Sequence, residues 1–148
     1  MKENFESQKE QVFTFPDLEV EIGELWRMAQ LFDTEDNKNG FVKAFKEKAK
    51  ESSLVPLTDD LWSTLENTDS SDIAVGDWEA VKHHAEDGHP EHPRDWQAIR
   101  EKMASGVSLD APIVLSMKGV NHLVSGNTRL MVARAIGIMP EVLWVEME

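Results

Sequence analysis

Residues 112–145 read PIVLSMKGVNHLVSGNTRLMVARAIGIMPEVLWV, and this stretch decides the fold. It contains two short apolar runs, at 112–116 and 121–125, that flank the dipeptide Lys118-Gly119. Apolar runs on either side of a tight turn predict an antiparallel β-hairpin. The C-terminal part of the chain is therefore expected to begin with two paired strands.

A helix and a last strand are predicted after the hairpin. Residues 128–136 are apolar nearly all round, which is typical of a helix buried against a sheet. Gly137 is suited to end that helix, because glycine readily adopts the left-handed conformation found after a helix C-terminus. Residues 142–145, Val-Leu-Trp-Val, predict a closing strand.

The turn between hairpin and helix, Ser125-Gly126-Asn127-Thr128-Arg129, is the candidate binding site. Gly126 allows the backbone to turn tightly, Asn127 offers an amide, and Thr128 can cap the helix. The first N–H groups of a helix have no partner inside it, and the helix dipole adds partial positive charge there. Such a terminus binds anions, and the guanidinium of Arg129 suits phosphate.

A purely structural interpretation accounts for the same residues. The sequence Gly126-Asn127-Thr128 is also an ordinary strand-to-helix turn, and Arg129 can pair with one of the many carboxylates of the chain. Residue types and spacing alone favour neither interpretation.

Four features follow one another between Asp110 and Glu148. The first two are a proline-led strand (Ala111–Leu115) and a hairpin partner that ends in a glycine-polar-polar-arginine turn (Gly126–Arg129). The last two are an alanine-rich helix that ends in Ile-Gly (Ala133–Ile138) and a closing strand (Val142–Val145). In this order they resemble the core of the ParB/sulfiredoxin superfamily. The resemblance implies that the Ser125–Arg129 turn binds nucleotide phosphates. Members include CTP-hydrolysing partition proteins, ATP-using sulfiredoxins, free-serine kinases and proteins described as nucleases.

The chain departs from each of these groups. Sulfiredoxins need a cysteine in the turn, where Asn127 and Thr128 stand here, so reduction of sulfinic acids is not expected. Partition proteins carry paired arginines and a following DNA-binding helix-turn-helix. Here Arg129 is single and the sequence ends at Glu148, so partition activity is not expected. Serine kinases have histidine at the position of Asn127, but the Thr-Arg pair of their turn matches Thr128-Arg129 better than the turns of the other groups do. The first 110 residues align with none of them.

Charge separates the two parts of the chain. The net charge is −13, yet residues 111–148 are neutral, so the first 110 residues hold 12 basic and 25 acidic side chains. Binding to duplex DNA needs clustered lysine and arginine and is not expected. A basic protein partner would suit the acidic part.

The chain has no cysteine, no apolar leader and no apolar run long enough to span a membrane, which predicts a cytoplasmic protein without membrane association.

The acidic residues 1–109 are expected to form a mostly helical elaboration. Helical spacing of apolar residues predicts helices at 19–32 and 41–49, and Asp77 and Asp95 are predicted to cap two more. A further helix is predicted to start at Thr58 and to bury a stripe of three apolar residues, which are Leu61, Trp62 and Leu65.

A histidine-rich stretch near the middle of the chain has the composition of a metal site. It contains His83, His84, His89 and His92 among acidic residues. Helical metal ligands usually stand four positions apart, and His84 has no such histidine partner, while Pro90 and Pro93 favour a loop. An exposed polar loop is therefore predicted, and no metal ligand is assigned.

These observations predict one α+β domain over residues 1–148. Residues 110–148 would form a ParB/sulfiredoxin-like hairpin–helix–strand core, and residues 1–109 the elaboration. The predicted function is binding of a nucleotide, ATP or CTP with Mg²⁺, or of another phosphorylated small molecule, at Ser125–Arg129. Phosphoryl transfer or hydrolysis there stays open, with an unassigned carboxylate holding Mg²⁺ or acting as base. The alternatives are a non-catalytic acidic interaction protein, as in a bacterial or phage accessory protein, and a metal-dependent nuclease, which the charge disfavours.

Overall fold

A computed structural model describes residues 13–32, 38–87 and 95–147, and its centre is a five-stranded mixed sheet in the order β2-β7-β5-β6-β3. The strands are β1 (Phe13–Thr14), β2 (Leu54–Pro56), β3 (Leu65–Glu66), β4 (Leu109–Asp110), β5 (Ile113–Met117), β6 (Val120–Ser125) and β7 (Glu141–Met147). The helices are α1 (Ile22–Phe32), α2 (Lys38–Lys50), α3 (Asp59–Trp62), α4 (Trp78–Lys82), α5 (Trp96–Ala104) and α6 (Asn127–Ile136). Helices and strands are thus mixed, consistent with the α+β class.

The predicted hairpin is confirmed. Strands β5 and β6 pair antiparallel, with Ile113 opposite Ser125 at one end and Met117 opposite Val120 at the other. Lys118 has a φ of 53° and Gly119 a φ of 80°. Positive φ at both central residues belongs to the hairpin turn whose twist matches that of the flanking strands.

The predicted helix and closing strand follow the hairpin. Helix α6 buries Leu130 and Val132 completely, and it ends at Gly137, whose φ is 95°. Strand β7 is longer than predicted and lies parallel to β5, on the side of β5 away from β6. The hairpin–helix–strand order expected from residues 112–145 is therefore present.

The acidic N-terminal part contributes strands as well as helices. A short strand at Phe13–Thr14 agrees with the extended segment that the sequence allows at 13–16, whereas β2 and β3 were not predicted. Strand β2 pairs antiparallel with β7 at one edge of the sheet, and β3 pairs parallel with β6 at the other. The predicted helix from Thr58 is only one turn long, although the Thr58 hydroxyl does cap it by accepting from the amide of Leu61. Leu65 is wrongly assigned to that helix: it lies opposite Asn121 in β3, because pairing with the exposed edge of β6 outweighs the local helical spacing.

Two hydrophobic cores lie on opposite faces of the sheet. The α6 core contains Val114, Leu123, Leu130, Met131 and Val142, together with Ile99 of α5 at its margin. The α1–α2 core contains Leu25, Met28, Phe45, Ile113, Leu115 and Leu143. Successive side chains of a strand point to opposite faces, so neighbouring residues of β5 belong to different cores.

The other predicted caps are confirmed, and the histidine-rich stretch is only partly described. Asp77 and Asp95 each accept a hydrogen bond, at 3.1 Å, from the backbone amide three residues on. Residues His83–Asp87 form one π-helical turn, while His89 and His92 lie outside the described residues. No helix in the described ranges is both long and apolar enough to cross a membrane.

Candidate functional site

A cavity of about 750 Å³ opens at the N-terminus of α6. All five residues of the predicted turn, Ser125 to Arg129, line it. The opposite walls come from the acidic part of the chain: Glu21, Glu24, Arg27 and Met28 at α1, Asn67 in the loop after β3, and Asp95, Ala98, Ile99 and Lys102 at α5. The cavity therefore lies where helices from both sides of the sheet approach the end of β6.

Gly126 shapes the start of α6. It occupies the N-cap position with a φ of 101°, so Thr128 is not the cap but stands in the first turn. A Cβ atom at Gly126 would lie 2.5 Å from the Cβ of Pro112. Close packing against Pro112 and the left-handed backbone together require glycine here, and they do so without any ligand.

The first amides of α6 face this cavity end without helical partners. The amide of Leu130 is the first to bond within the helix, donating to the Gly126 carbonyl at 2.9 Å. The amides of Asn127, Thr128 and Arg129 precede it and have no carbonyl one turn back. No side chain caps this terminus, and its first turn has no acidic residue. Three N–H groups and the positive end of the helix dipole are thus available to an anion.

Ser125 adds a hydroxyl that lacks a partner. The residue is 8% exposed, and its Oγ has no hydrogen-bond partner among the described residues. Buried polar side chains are usually bonded, and an unsatisfied one carries a desolvation penalty of about 1–3 kcal/mol. The protein encloses this oxygen, so a ligand in the cavity would remove the penalty only if the Ser125 side chain rotates toward it.

Arg129 is held by the fold itself. Its Nη1 donates to the backbone carbonyl of Asp110 and its Nη2 lies 3.2 Å from Oε1 of Glu21. Both side chains of the ion pair are largely buried, with 15% of Arg129 and 13% of Glu21 exposed. The structural interpretation of Arg129 thus has direct support, while two contacts leave other guanidinium N–H donors for a ligand.

Asn127 is bound to a loop that sequence reasoning did not connect with the site. Its Oδ1 lies 2.5 Å from the hydroxyl of Thr68, and that hydroxyl lies 2.8 Å from the hydroxyl of Ser70. Ser70 is fully buried and receives the indole N–H of Trp62 at 2.8 Å. Asn67, in the same loop, bonds with both ends of its amide to the backbone of Leu123. The polar run from Asn67 to Ser71 predicts a loop, but the side chains that this loop contacts are far away in sequence.

The charges on the cavity wall are balanced. Three cations, Arg27, Lys102 and Arg129, stand among three carboxylates, Glu21, Glu24 and Asp95. Arg27 pairs with Glu24 one turn away, and Arg129 pairs with Glu21. Lys102 has no ion-pair partner among the described residues. It is therefore the cation on the wall whose charge is not already matched by a neighbour.

The described residues do not form a metal site. Within residues 13–32, 38–87 and 95–147, no three histidine or carboxylate side chains come together as a group that could hold a metal ion. His83 uses its Nδ1 to contact Asp87 at 2.9 Å on the exposed π-helical turn.

Comparison with protein-family models, with curated proteins and with solved structures finds no match to this chain.

Proposed function

We propose that the protein binds a phosphate ester in this cavity, with the phosphate at the N-terminus of α6. A nucleotide such as ATP or CTP is the leading candidate for the whole ligand. The observation that carries this proposal is the combination of three open helix amides with the unpartnered, buried hydroxyl of Ser125. Each is a donor without an acceptor. A phosphate oxygen at the helix terminus would accept from the amides directly, and from the Ser125 hydroxyl after rotation of that side chain, which the protein encloses in the free state.

The rest of the cavity suits a ligand larger than inorganic phosphate. Its volume of about 750 Å³ lies within the range of roughly 300–1,000 Å³ typical of small-molecule sites. Ala98 and Ile99, which are only half-buried, offer apolar surface to a base or another apolar body. Lys102 would face a second negative group of such a ligand, because its charge is unmatched.

Arg129 has a shared role in this proposal. Its guanidinium would keep the hydrogen bond to the Asp110 carbonyl and donate its remaining N–H groups to the phosphate. Glu21 then stands beside the anion and repels it, so wild-type affinity should be modest. The resemblance of residues 110–148 to the ParB/sulfiredoxin core favours the same ligand class. Mg²⁺, if it takes part, would bind with the phosphates, as is usual for this ion.

The test is a thermal-shift panel with inorganic phosphate, ADP, ATP, CTP and GTP, each with and without Mg²⁺. We expect at least one phosphate ester to raise the melting temperature of the wild type. Thr128→Asp should prevent that rise, because it places a carboxylate among the open amides. It should not lower the melting temperature of the free protein, since an acidic residue in the first turn stabilises a helix.

Thr58→Asp provides a matched control. It adds the same charge at another helix start, the N-cap of α3, where aspartate is also a good cap and which does not line the cavity. It should leave the ligand-induced rise intact. If no probe stabilises the wild type under any condition, the phosphate-binding function is wrong.

The second candidate is a non-catalytic protein that binds a basic partner through its acidic part. It is favoured by the Glu21–Arg129 pair, which satisfies the key arginine inside the fold. This candidate predicts no response to any nucleotide, together with salt-sensitive binding to a basic polypeptide such as polylysine.

A further inference from the structure

A chain of side-chain hydrogen bonds leads from a buried tryptophan to the first residue of α6. The indole Nε1 of Trp62 lies 2.8 Å from Oγ of Ser70, and Oγ of Ser70 lies 2.8 Å from Oγ1 of Thr68. Thr68 Oγ1 then lies 2.5 Å from Oδ1 of Asn127. The chain thus crosses from the 3₁₀ turn at Ser70–Asp72, which follows β3, to the wall of the cavity.

Counting protons fixes the direction of this chain. The indole N–H can only donate, so Ser70 Oγ accepts from Trp62. Ser70 is 0% exposed, and its hydroxyl has one other neighbour among the described residues, which is Thr68. The proton of Ser70 must therefore point to Thr68, and the proton of Thr68 is left for Asn127. Only an acceptor can receive that proton, so the atom of Asn127 at Thr68 is its oxygen and not its nitrogen.

We propose that this chain positions the side-chain amide of Asn127 so that its NH₂ group is the end presented to a ligand. The inference rests on the proposed phosphate site and names Thr68 as a positioning residue for it. Asn127 lines the cavity, and its Nδ2 has no hydrogen-bond partner among the described residues.

The consequence is a site built from donors. The Asn127 NH₂ joins the three backbone amides, the Ser125 hydroxyl and the guanidinium of Arg129. An amide turned the other way would present a carbonyl oxygen and repel a phosphate oxygen. The chain from Trp62 therefore favours an anionic phosphate group over a cationic ligand.

The first measurement uses the unliganded protein. Neutron diffraction from deuterium-exchanged crystals locates the hydroxyl and amide deuterons directly. We expect the Ser70 deuteron on the line to Thr68 and the Thr68 deuteron on the line to Asn127 Oδ1. Finding the Asn127 ND₂ group directed at Thr68 would overturn the inference, whether or not the protein binds phosphate.

The second measurement is an NMR titration of ¹⁵N-labelled protein with inorganic phosphate and with ATP. Binding is followed by the chemical shift of the side-chain amide of Asn127. Thr68→Val keeps the shape but removes the hydroxyl, and it should weaken binding about tenfold through loss of one oriented contact to a charged group. Thr68→Ser restores the hydroxyl and should bind within about twofold of the wild type. Rescue by serine would not occur if Thr68 only filled space.

An isosteric pair isolates the amide itself. Asn127→Asp replaces the NH₂ donor by a carboxylate oxygen and should abolish binding. Asn121→Asp makes the same change on β6, where the amide bonds to Thr64 instead, and should leave binding unchanged. Binding that survives both Thr68→Val and Asn127→Asp would overturn the positioning role. A wild type that binds neither probe, with the neutron result as expected, would instead overturn the phosphate site itself.

Discussion

Oε1 of Glu21 lies 3.2 Å from Nη2 of Arg129, and the two side chains join the start of α1 to the first turn of α6. The carboxylate occupies an N–H donor on the edge of the guanidinium, and a phosphate would use the same kind of donor. The pair is also mostly buried, so it contributes to the fold as well as to the charge of the cavity.

The first prediction is that Glu21→Gln strengthens ligand binding while weakening the fold. Removing the negative charge beside the phosphate should raise affinity for ATP or inorganic phosphate about tenfold. The free energy of unfolding should fall by about 1–3 kcal/mol, because Arg129 loses a charged partner. Titration calorimetry and urea denaturation measure the two effects.

Glu24→Gln is the matched control for this change. Glu24 also lines the cavity, but its partner Arg27 is 67% exposed on its side chain, so the pair is solvated. Both affinity and stability should change little. An equal gain in affinity from both variants would mean that the general charge of the cavity matters, and not direct competition for Arg129.

The second prediction separates the two roles of Arg129. Arg129→Ala should lower the melting temperature of the free protein and also reduce phosphate affinity ten- to a hundredfold, about 1.5–3 kcal/mol for a charge-assisted contact. Affinity is measured below the melting temperature of the variant. Loss of stability with unchanged affinity would leave Arg129 a structural residue only.

Arg134→Ala is its control on the same helix. Arg134 lies over the Trp62 ring at 4.9 Å, donates to the Ile73 carbonyl and pairs with Asp59, all outside the cavity. Its loss should also destabilise the protein, by about 1–2 kcal/mol. Ligand affinity should stay at the wild-type value.

The third prediction concerns the unpartnered hydroxyl. Ser125→Ala removes a buried polar group without a partner, so the free protein should be as stable as the wild type or about 1 kcal/mol more stable. Phosphate affinity should fall several-fold. Ser70→Ala makes the same change at a buried hydroxyl that is bonded on both sides, and it should destabilise the protein by about 1–3 kcal/mol. Equal losses of stability from both would show that Ser125 is satisfied within the fold.

The fourth prediction tests the glycine at the start of α6. Gly126→Ala places a Cβ 2.5 Å from Pro112 in a left-handed backbone, and should destabilise the protein by about 3 kcal/mol or more. Gly119→Ala shares the positive φ but has nothing within 4 Å of its added Cβ, so about 1–2 kcal/mol is expected. Denaturant unfolding gives the loss in free energy of unfolding for each variant. The difference between the two losses is the contribution of the close approach to Pro112.

The fifth prediction concerns DNA. With 25 acidic side chains among its first 110 residues, the protein should bind duplex DNA weakly or not at all at physiological salt. Submicromolar, salt-sensitive binding in a gel-shift titration would contradict it.

Local signals predicted the C-terminal elements well. The hairpin depends on a turn of two residues, and the end of α6 on Gly137, so neighbouring positions carry the information. The strand-to-helix turn at Ser125 to Arg129 also follows from local signals, whereas the cavity beside it is completed by residues distant in sequence.

Contacts between distant positions could not be predicted in the same way. Strand β3 has only two residues, and its pairing with β6 follows no local pattern. Thr68 and Asn127 are 59 positions apart, and Glu21 and Arg129 are 108 apart. A single sequence shows that these side chains are polar, but not which of them meet.

The position of the cavity has a consequence for cooperativity. One wall carries Met28, which belongs to the α1–α2 core, and another carries Ile99, which packs on the α6 core. Because the sheet separates these two cores, we expect each helical layer to open locally without the other. A ligand held by both walls would bind only when both layers are closed, so binding would stabilise the closed state of both. The backbone amides of the two layers would then become protected from hydrogen exchange at the same time. Ligand binding and joint unfolding of the two layers would become one linked equilibrium.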